Sequence, residues 1–140
     1  MSARSKARKQ ALDILFETDI RGTSPLDLLH TRLVGEDGQD ARPIREYTKE
    51  LVIGVTDHRR KIDELISTYA QGWDMDRLPA VDRNVLRVAI FELLWCESVP
   101  AAVAIDEAIN LAKDLSTDES AGYIHGVLGR ISSIKNDLAL

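Results

Sequence analysis

Residues 81–96 read VDRNVLRVAIFELLWC and form the most apolar helical pattern in the chain. Apolar residues recur there at helical spacing until Val99-Pro100 interrupts them, which predicts a helix that is buried on most of its surface. Further helical patterns precede and follow it, and no segment alternates apolar and polar residues in the way that a strand does. The sequence therefore predicts an all-α fold.

Glycine, proline and capping residues divide the rest of the chain into further helices. Residues 35–43 are the clearest loop, Asp57 is a candidate cap, and Ser116 with Glu119 forms a capping box before the last helix. Helices of this length with short connections pack as a compact bundle. The predicted helices span about residues 3–20, 25–33, 43–55, 57–72, 81–96, 101–115 and 119–131.

Composition limits the class of protein. At 140 residues the chain is long enough for one domain with its own core and needs no disulfide or metal to fold. No apolar run approaches the ~18 residues of a membrane span, and the N-terminus lacks the apolar stretch of a secretory signal. The single cysteine, Cys96, lies in an apolar helical pattern, which fits a core residue in a reducing compartment. These features predict a cytoplasmic protein without a membrane segment.

The first twelve residues carry only positive charges, although the chain as a whole has a net charge of −5. A basic tip on an acidic chain indicates a local contact with an anion, and nucleic-acid phosphate is the most plausible one. The alternative is a solvated helix start with no ligand. The basic residues are Arg4, Lys6, Arg8 and Lys9.

The sequence gives no catalytic constellation, no metal site and no cofactor motif. The three histidines have no paired-ligand spacing, and neither a phosphate-binding glycine loop nor a nucleophile elbow is present. Asp74 and Asp76 form either a carboxylate pair or, the favoured interpretation, a solvated turn. We therefore expect a binding protein rather than an enzyme.

The helix at 81–96 carries charged residues in two different settings. Glu92 projects onto its apolar stripe, where a carboxylate is costly unless it is paired, so we expect an arginine or backbone N–H groups to satisfy it. A catalytic role is the alternative. Asp82, Arg83 and Arg87 occupy the first turns, which suits an exposed edge or the rim of a partner surface.

Phe16 lies outside the apolar arc of the first helix. Such an aromatic side chain either widens the core or remains exposed as an interface anchor. The core arc consists of Ala7, Ala11, Ile14 and Leu15.

The last helix begins with polar residues that could meet nucleic acid. Its N-terminus offers unpaired N–H groups, and Tyr123 could stack on a base. Asp118 and Glu119 oppose phosphate, so contacts with base donors are the better use of their carboxylates. Three glycines cost helix propensity, and we expect close approach of a neighbouring helix to compensate: Gly122, Gly126 and Gly129. A tight helix crossing and a binding site both remain open.

Several segments together resemble the NusB family of transcription antitermination factors. The similarity covers essentially the whole chain, and the C-terminal motifs are specific in combination. The Leu-Pro-Ala-Val-Asp-Arg and Leu-Ser-Thr-Asp-Glu-Ser sequences look actinobacterial. The matching segments are residues 77–93, 99–100, 104–113 and 126–128, with 7–16 at the start.

The resemblance implies two small helical subdomains, at about residues 1–72 and 73–140. It also implies binding of box A RNA together with NusE, a small-subunit ribosomal protein, in a complex that helps RNA polymerase read through terminators in ribosomal RNA operons. The implied RNA-binding residues are Arg4, Lys6, Arg8, Lys9, Ser116, Asp118, Glu119, Ser120 and Tyr123. The implied NusE-binding residues are Phe16, Ile20, Asp76, Asp82 and Arg87.

Two other functions compete with this one. The fold resembles the N-terminal domain of some ribosomal RNA methyltransferases, but these need a glycine-rich cofactor domain that residues 1–140 lack. A DNA-binding repressor would use helix 81–96 in a groove, which the acidic chain disfavours. His125 stands where the family often has Asn. Some relatives form homodimers, and the sequence leaves both a monomer and a homodimer open.

Overall fold

Seven α-helices account for most of the residues that the computed structural model describes, which are 2–34, 43–72 and 77–140. A short 3₁₀ helix at Lys135–Asp137 follows the last of them, and these residues contain no strand. The all-α prediction is confirmed. The helices are α1 (Ala3–Arg21), α2 (Pro25–Val34), α3 (Glu46–Asp57), α4 (Arg59–Tyr69), α5 (Ala80–Trp95), α6 (Ala101–Leu115) and α7 (Asp118–Ser133).

The ends of α1 follow from its sequence. The Ser2 hydroxyl accepts a hydrogen bond from the Ser5 N–H at the N-terminus, which satisfies one of the unpaired donors of the first turn. At the C-terminus Gly22 adopts a positive φ of 67°, which glycine reaches without steric cost.

The predicted loop at 35–43 lies outside the described residues except for Pro43.

Two predicted caps are wrong. Asp57 is the last residue of α3, and His58 stands at the N-terminus of α4. At α7 the capping residue is Thr117, whose hydroxyl accepts from the Ser120 N–H. Ser116 instead follows the end of α6, where its N–H bonds to the Ala112 carbonyl.

Helix α5 lies at the centre of the molecule and packs against α1, α3, α4, α6 and α7. Twelve of its sixteen residues are buried, which confirms the prediction from its apolar pattern. The buried apolar side chains of α1 through α7 form one continuous cluster around it, and Cys96 packs against that cluster at its edge. The core arc predicted for α1 is also buried. Helices α1 and α5 therefore pack together and both contribute side chains to the same core.

One glycine is required by packing, and it is not one of the three singled out in the sequence. A Cβ atom at Gly54 of α3 would overlap the ring of Phe91 on α5. In contrast, a Cβ atom at any of the α7 glycines would meet no described atom within 4 Å. The prediction that close helix packing compensates for Gly122, Gly126 and Gly129 is therefore wrong, because these positions face open space.

We predict opposite effects of alanine at Gly54 and Gly126. Gly54→Ala should lower the free energy of unfolding by about 1–3 kcal/mol, because α3 or Phe91 must move to accept the methyl group. Gly126→Ala is the matched control and should raise it by up to about 1 kcal/mol, because alanine favours the helix and nothing blocks it. Denaturant unfolding of both variants measures the two changes. A Gly54→Ala variant as stable as the parent would contradict the packing described here.

Candidate nucleic-acid and protein interface

A buried ion pair joins the N-terminal half of α1 to the C-terminal half of α5. The Arg8 guanidinium donates to both carboxylate oxygens of Glu92, at 2.9 Å from Nε to Oε1 and 2.9 Å from Nη2 to Oε2. The two side chains are 3% and 1% exposed. The prediction that Glu92 is a structural carboxylate satisfied by an arginine is confirmed. The assignment of Arg8 to the RNA surface is wrong, because its guanidinium is buried and already donates hydrogen bonds to Glu92 through Nε and Nη2.

Neighbouring side chains complete this cluster. The Tyr47 hydroxyl on α3 donates to Glu92 Oε2. Glu107 on α6 accepts from the Ser5 hydroxyl at 2.6 Å and lies 3.4 Å from Arg8 Nη1. The first turns of α1 are thereby connected to α3, α5 and α6. We call Arg8, Glu92, Tyr47, Glu107 and Ser5 the Arg8 cluster.

The carboxylate of Glu92 favours the protonated forms of Arg8 and Tyr47 in the Arg8 cluster. Burial alone lowers the pKa of Arg8, but its hydrogen bonds to Glu92 and the charge of that carboxylate outweigh this, and the pKa lies above its ordinary value. Burial, together with Glu92, raises the pKa of Tyr47, so that its hydroxyl keeps the proton that it donates. Arg8 and Tyr47 therefore both keep their protons at neutral pH.

A second cluster joins the opposite ends of the same two helices. Asp19 on α1 accepts from Arg83 Nε at 2.9 Å, from Asn84 Nδ2 at 2.9 Å and from Arg87 Nη1 at 3.0 Å. Arg87 also donates to Asp63 on α4 at 2.8 Å. Burial raises the pKa of Asp19, but the hydrogen bonds from Asn84 and Arg83 and the charge of Arg87 outweigh it, so the pKa is lowered. We call Asp19, Arg83, Asn84, Arg87 and Asp63 the Asp19 cluster.

The prediction that Asp82 and Arg87 form an exposed edge is wrong. Each is only 3% exposed, because α5 is surrounded by other helices from its first turn. Arg87 belongs to the Asp19 cluster, and Asp82 Oδ2 accepts from the Ser120 hydroxyl on α7 at 2.8 Å. Neither side chain offers a surface to a partner. Asp76, the third charged residue assigned to the NusE surface, lies outside the described residues, as does Asp74.

Two of the four basic residues at the start of α1 are exposed and unpaired among the described residues. Arg4 and Lys6 are exposed, and neither makes an ion pair or side-chain hydrogen bond with any residue that the structure describes. Lys9 is half-buried and donates to Asp13 at 2.8 Å. The guanidinium of Arg4 lies 4.4 Å from the centre of the Tyr47 ring. The basic tip therefore presents two unpaired cations, Arg4 and Lys6, and a third cation, Lys9, in a surface ion pair.

Farther along α1, an apolar surface faces outward. Phe16 is half-buried, and Ile20 is 63% exposed. The two residues are four apart and so share one face of the helix. Phe16 is consequently not enclosed in the core, which leaves its ring available to a partner.

The start of α7 carries the other residues assigned to RNA. Asp118 and Glu119 are exposed, whereas Ser116, Ser120 and Tyr123 are half-buried. Burial, and to a lesser extent the charge of Asp82, raises the pKa of Tyr123. A groove of about 460 Å³ runs between this helix and the end of α4. It is lined by Thr68, Tyr69, Gln71, Gly122, Tyr123, Gly126, Val127 and Arg130.

Sequence reasoning missed Tyr47, Glu107 and Asp19, which hold the two clusters together. Each is a polar residue in an ordinary helical pattern, so spacing alone gave no signal for it. The one available signal was Glu92, since a carboxylate in an apolar stripe requires donors from other helices.

Within the described residues, no helix is both long and apolar enough to cross a membrane.

The structure defines a helical binding protein, with exposed cations and an exposed apolar face on one helix. A family model described as "NusB family" matches residues 5–133, and the chain belongs to that family. The transcription antitermination protein NusB of Nocardioides sp. is 51% identical over 99% of this chain and 100% of its own length. The corresponding protein of Saccharopolyspora erythraea is 52% identical over 99% of this chain and 92% of its own length.

Solved structures share the fold. NusB of T. maritima superposes with a TM-score of 0.79 at 32% identity, covering 98% of this chain and 99% of that one. A chain from the crystal structure of antitermination factors NusB and NusE in complex with dsRNA gives 0.76 at 29% identity, covering 93% and 96%. The all-helical arrangement is thus that of solved NusB proteins.

Proposed function

We propose that this protein binds box A RNA of ribosomal RNA operons together with NusE and promotes processive transcription by RNA polymerase. Membership of the NusB family supports this proposal, as does the similarity to a NusB chain solved with NusE and dsRNA. We expect it to act by binding, since the buried charges of Arg8, Glu92 and Arg87 are engaged in structural ion pairs. Because this activity takes place on transcribing RNA polymerase, we expect the protein to act in the cytoplasm.

The observation that carries the proposal is the set of exposed side chains along α1. Arg4 and Lys6 lie at its start, and Phe16 and Ile20 lie near its end. A spacing of twelve residues from Arg4 to Phe16 corresponds to about 18 Å along the helix axis. RNA bound to the cations and NusE bound to the apolar face would be close enough to touch. Binding of the two ligands would then be mutually reinforcing, and by linkage each would tighten the other equally.

The start of α7 supplies the second part of the proposed RNA surface. The exposed carboxylates of Asp118 and Glu119 gain nothing from phosphate but can accept hydrogen bonds from base amino groups. Tyr123 is half-buried, which leaves part of its ring for stacking on a base. We assign affinity to the cations of α1 and sequence discrimination to this segment.

Removal of the two exposed cations should weaken RNA binding and reduce its dependence on salt. For Arg4→Ala combined with Lys6→Ala, the slope of log affinity against log salt should fall by up to about 0.7 for each lost phosphate contact. Fluorescence anisotropy with labelled box A RNA, in the presence of NusE and at several salt concentrations, measures the slope. The matched control is Arg60→Ala with Lys61→Ala on α4, which changes the net charge equally. An unchanged slope, or an equal loss in the control, would remove the start of α1 from the RNA interface.

Truncation of Phe16 should weaken NusE binding without unfolding the protein. Phe16→Ala should cost about 2 kcal/mol or more of binding free energy, because an aromatic anchor is lost, and should change Tm little, because the ring is not enclosed in the core. Calorimetric titration and thermal unfolding measure the two quantities. Ile53→Ala on α3, another exposed apolar residue, is the control and should leave NusE binding unchanged. A large fall in Tm with normal NusE binding would place Phe16 in the core instead.

A further inference from the structure

The exposed cation Arg4 rests on an aromatic ring from another helix. Its guanidinium carbon lies 4.4 Å from the centre of the Tyr47 ring, within the range of a favourable cation–π contact. Arg8, one helical turn farther along α1, lies 5.6 Å from the same centre. Tyr47 therefore contacts both an exposed cation and a buried one.

The orientation of the Tyr47 ring is fixed from inside the protein. Its hydroxyl donates to Glu92, and Glu92 in turn holds Arg8 through two of its guanidinium nitrogens. Because Glu92 and Arg8 are buried, this acceptor has no freedom to move with the surface. The ring that supports Arg4 is thus anchored to a buried ion pair.

Stacking leaves the hydrogen-bonding capacity of Arg4 intact. A guanidinium stacks through its flat face, whereas its five N–H donors point outward in the plane and match the oxygens of phosphate. Within the described residues none of these donors is engaged. A free arginine side chain would lose conformational freedom on binding RNA, and a pre-positioned one has already lost part of it.

We propose that Tyr47 is a positioning residue of the RNA surface, which holds the Arg4 guanidinium ready to bind phosphate. This role rests on the proposed function, since it assumes that Arg4 meets box A RNA. Tyr47 itself need not touch the RNA. Lys6 has no aromatic contact among the described residues and serves as the internal comparison.

A double-mutant cycle tests the role. Affinity for box A RNA in the presence of NusE is measured for Tyr47→Leu, for Arg4→Ala and for the double variant, and a second cycle replaces Arg4→Ala by Lys6→Ala. Tyr47→Leu should weaken RNA binding about two- to fivefold in the parent. It should have almost no effect in the Arg4→Ala background, and its full effect in the Lys6→Ala background. Tyr47→Phe keeps the ring but loses the hydrogen bond that anchors it to Glu92, so it should weaken RNA binding less than Tyr47→Leu does.

The outcomes separate this role from the function on which it rests. If Tyr47→Leu weakens RNA binding equally in the Arg4→Ala and Lys6→Ala backgrounds, or not at all, Tyr47 does not position Arg4. An equal loss in Tyr47→Phe would attribute the effect to the Glu92 hydrogen bond rather than to the ring, and would also overturn the role. Failure of the parent protein to prefer box A RNA over a scrambled sequence would overturn the proposed function and the role together.

Discussion

The placement of α1 on α5 depends on two ion-pair clusters of opposite polarity. Toward one end, Arg8 of α1 meets Glu92 of α5, and toward the other, Asp19 of α1 meets Arg87 of α5. If α1 were reversed on α5, arginine would face arginine and carboxylate would face carboxylate. Buried like charges would strongly disfavour that reversed orientation. The clusters therefore specify that the two helices are antiparallel.

This orientation determines what the protein shows to its ligands. The inward charges of α1 are used within the bundle, so the side chains left exposed on α1 are Arg4 and Lys6 at its start and Ile20 near its end, with Phe16 partly exposed beside Ile20. The same buried Glu92 that fixes α1 also receives the Tyr47 hydroxyl and so sets the ring beneath Arg4. The Arg8 cluster thus holds α1 in place and also positions the ring under Arg4. Arg8 therefore supports the proposed RNA surface from inside the protein and is not part of that surface.

Helical periodicity predicted most of the fold but not the long-range partners. It gave the course of α1, the burial of α5 and the need for a donor to Glu92, because these depend on local spacing. It could not choose Arg8 as that donor, since the two residues are 84 positions apart and Arg8 looks like its neighbours Arg4 and Lys6. Asp82 and Arg87 were misjudged for a related reason. Charges in the first turns of a helix usually face solvent, but here five other helices surround α5.

The most direct test of this account is a stability cycle on Arg8 and Glu92. Denaturant unfolding would be measured for Arg8→Met, for Glu92→Leu and for the double variant. Each single change leaves a buried charge without its partner and should cost about 3–5 kcal/mol, whereas the double change removes both charges and should be much closer to the parent. Two small single effects that simply add in the double variant would contradict the claim that this ion pair determines how α1 sits on α5.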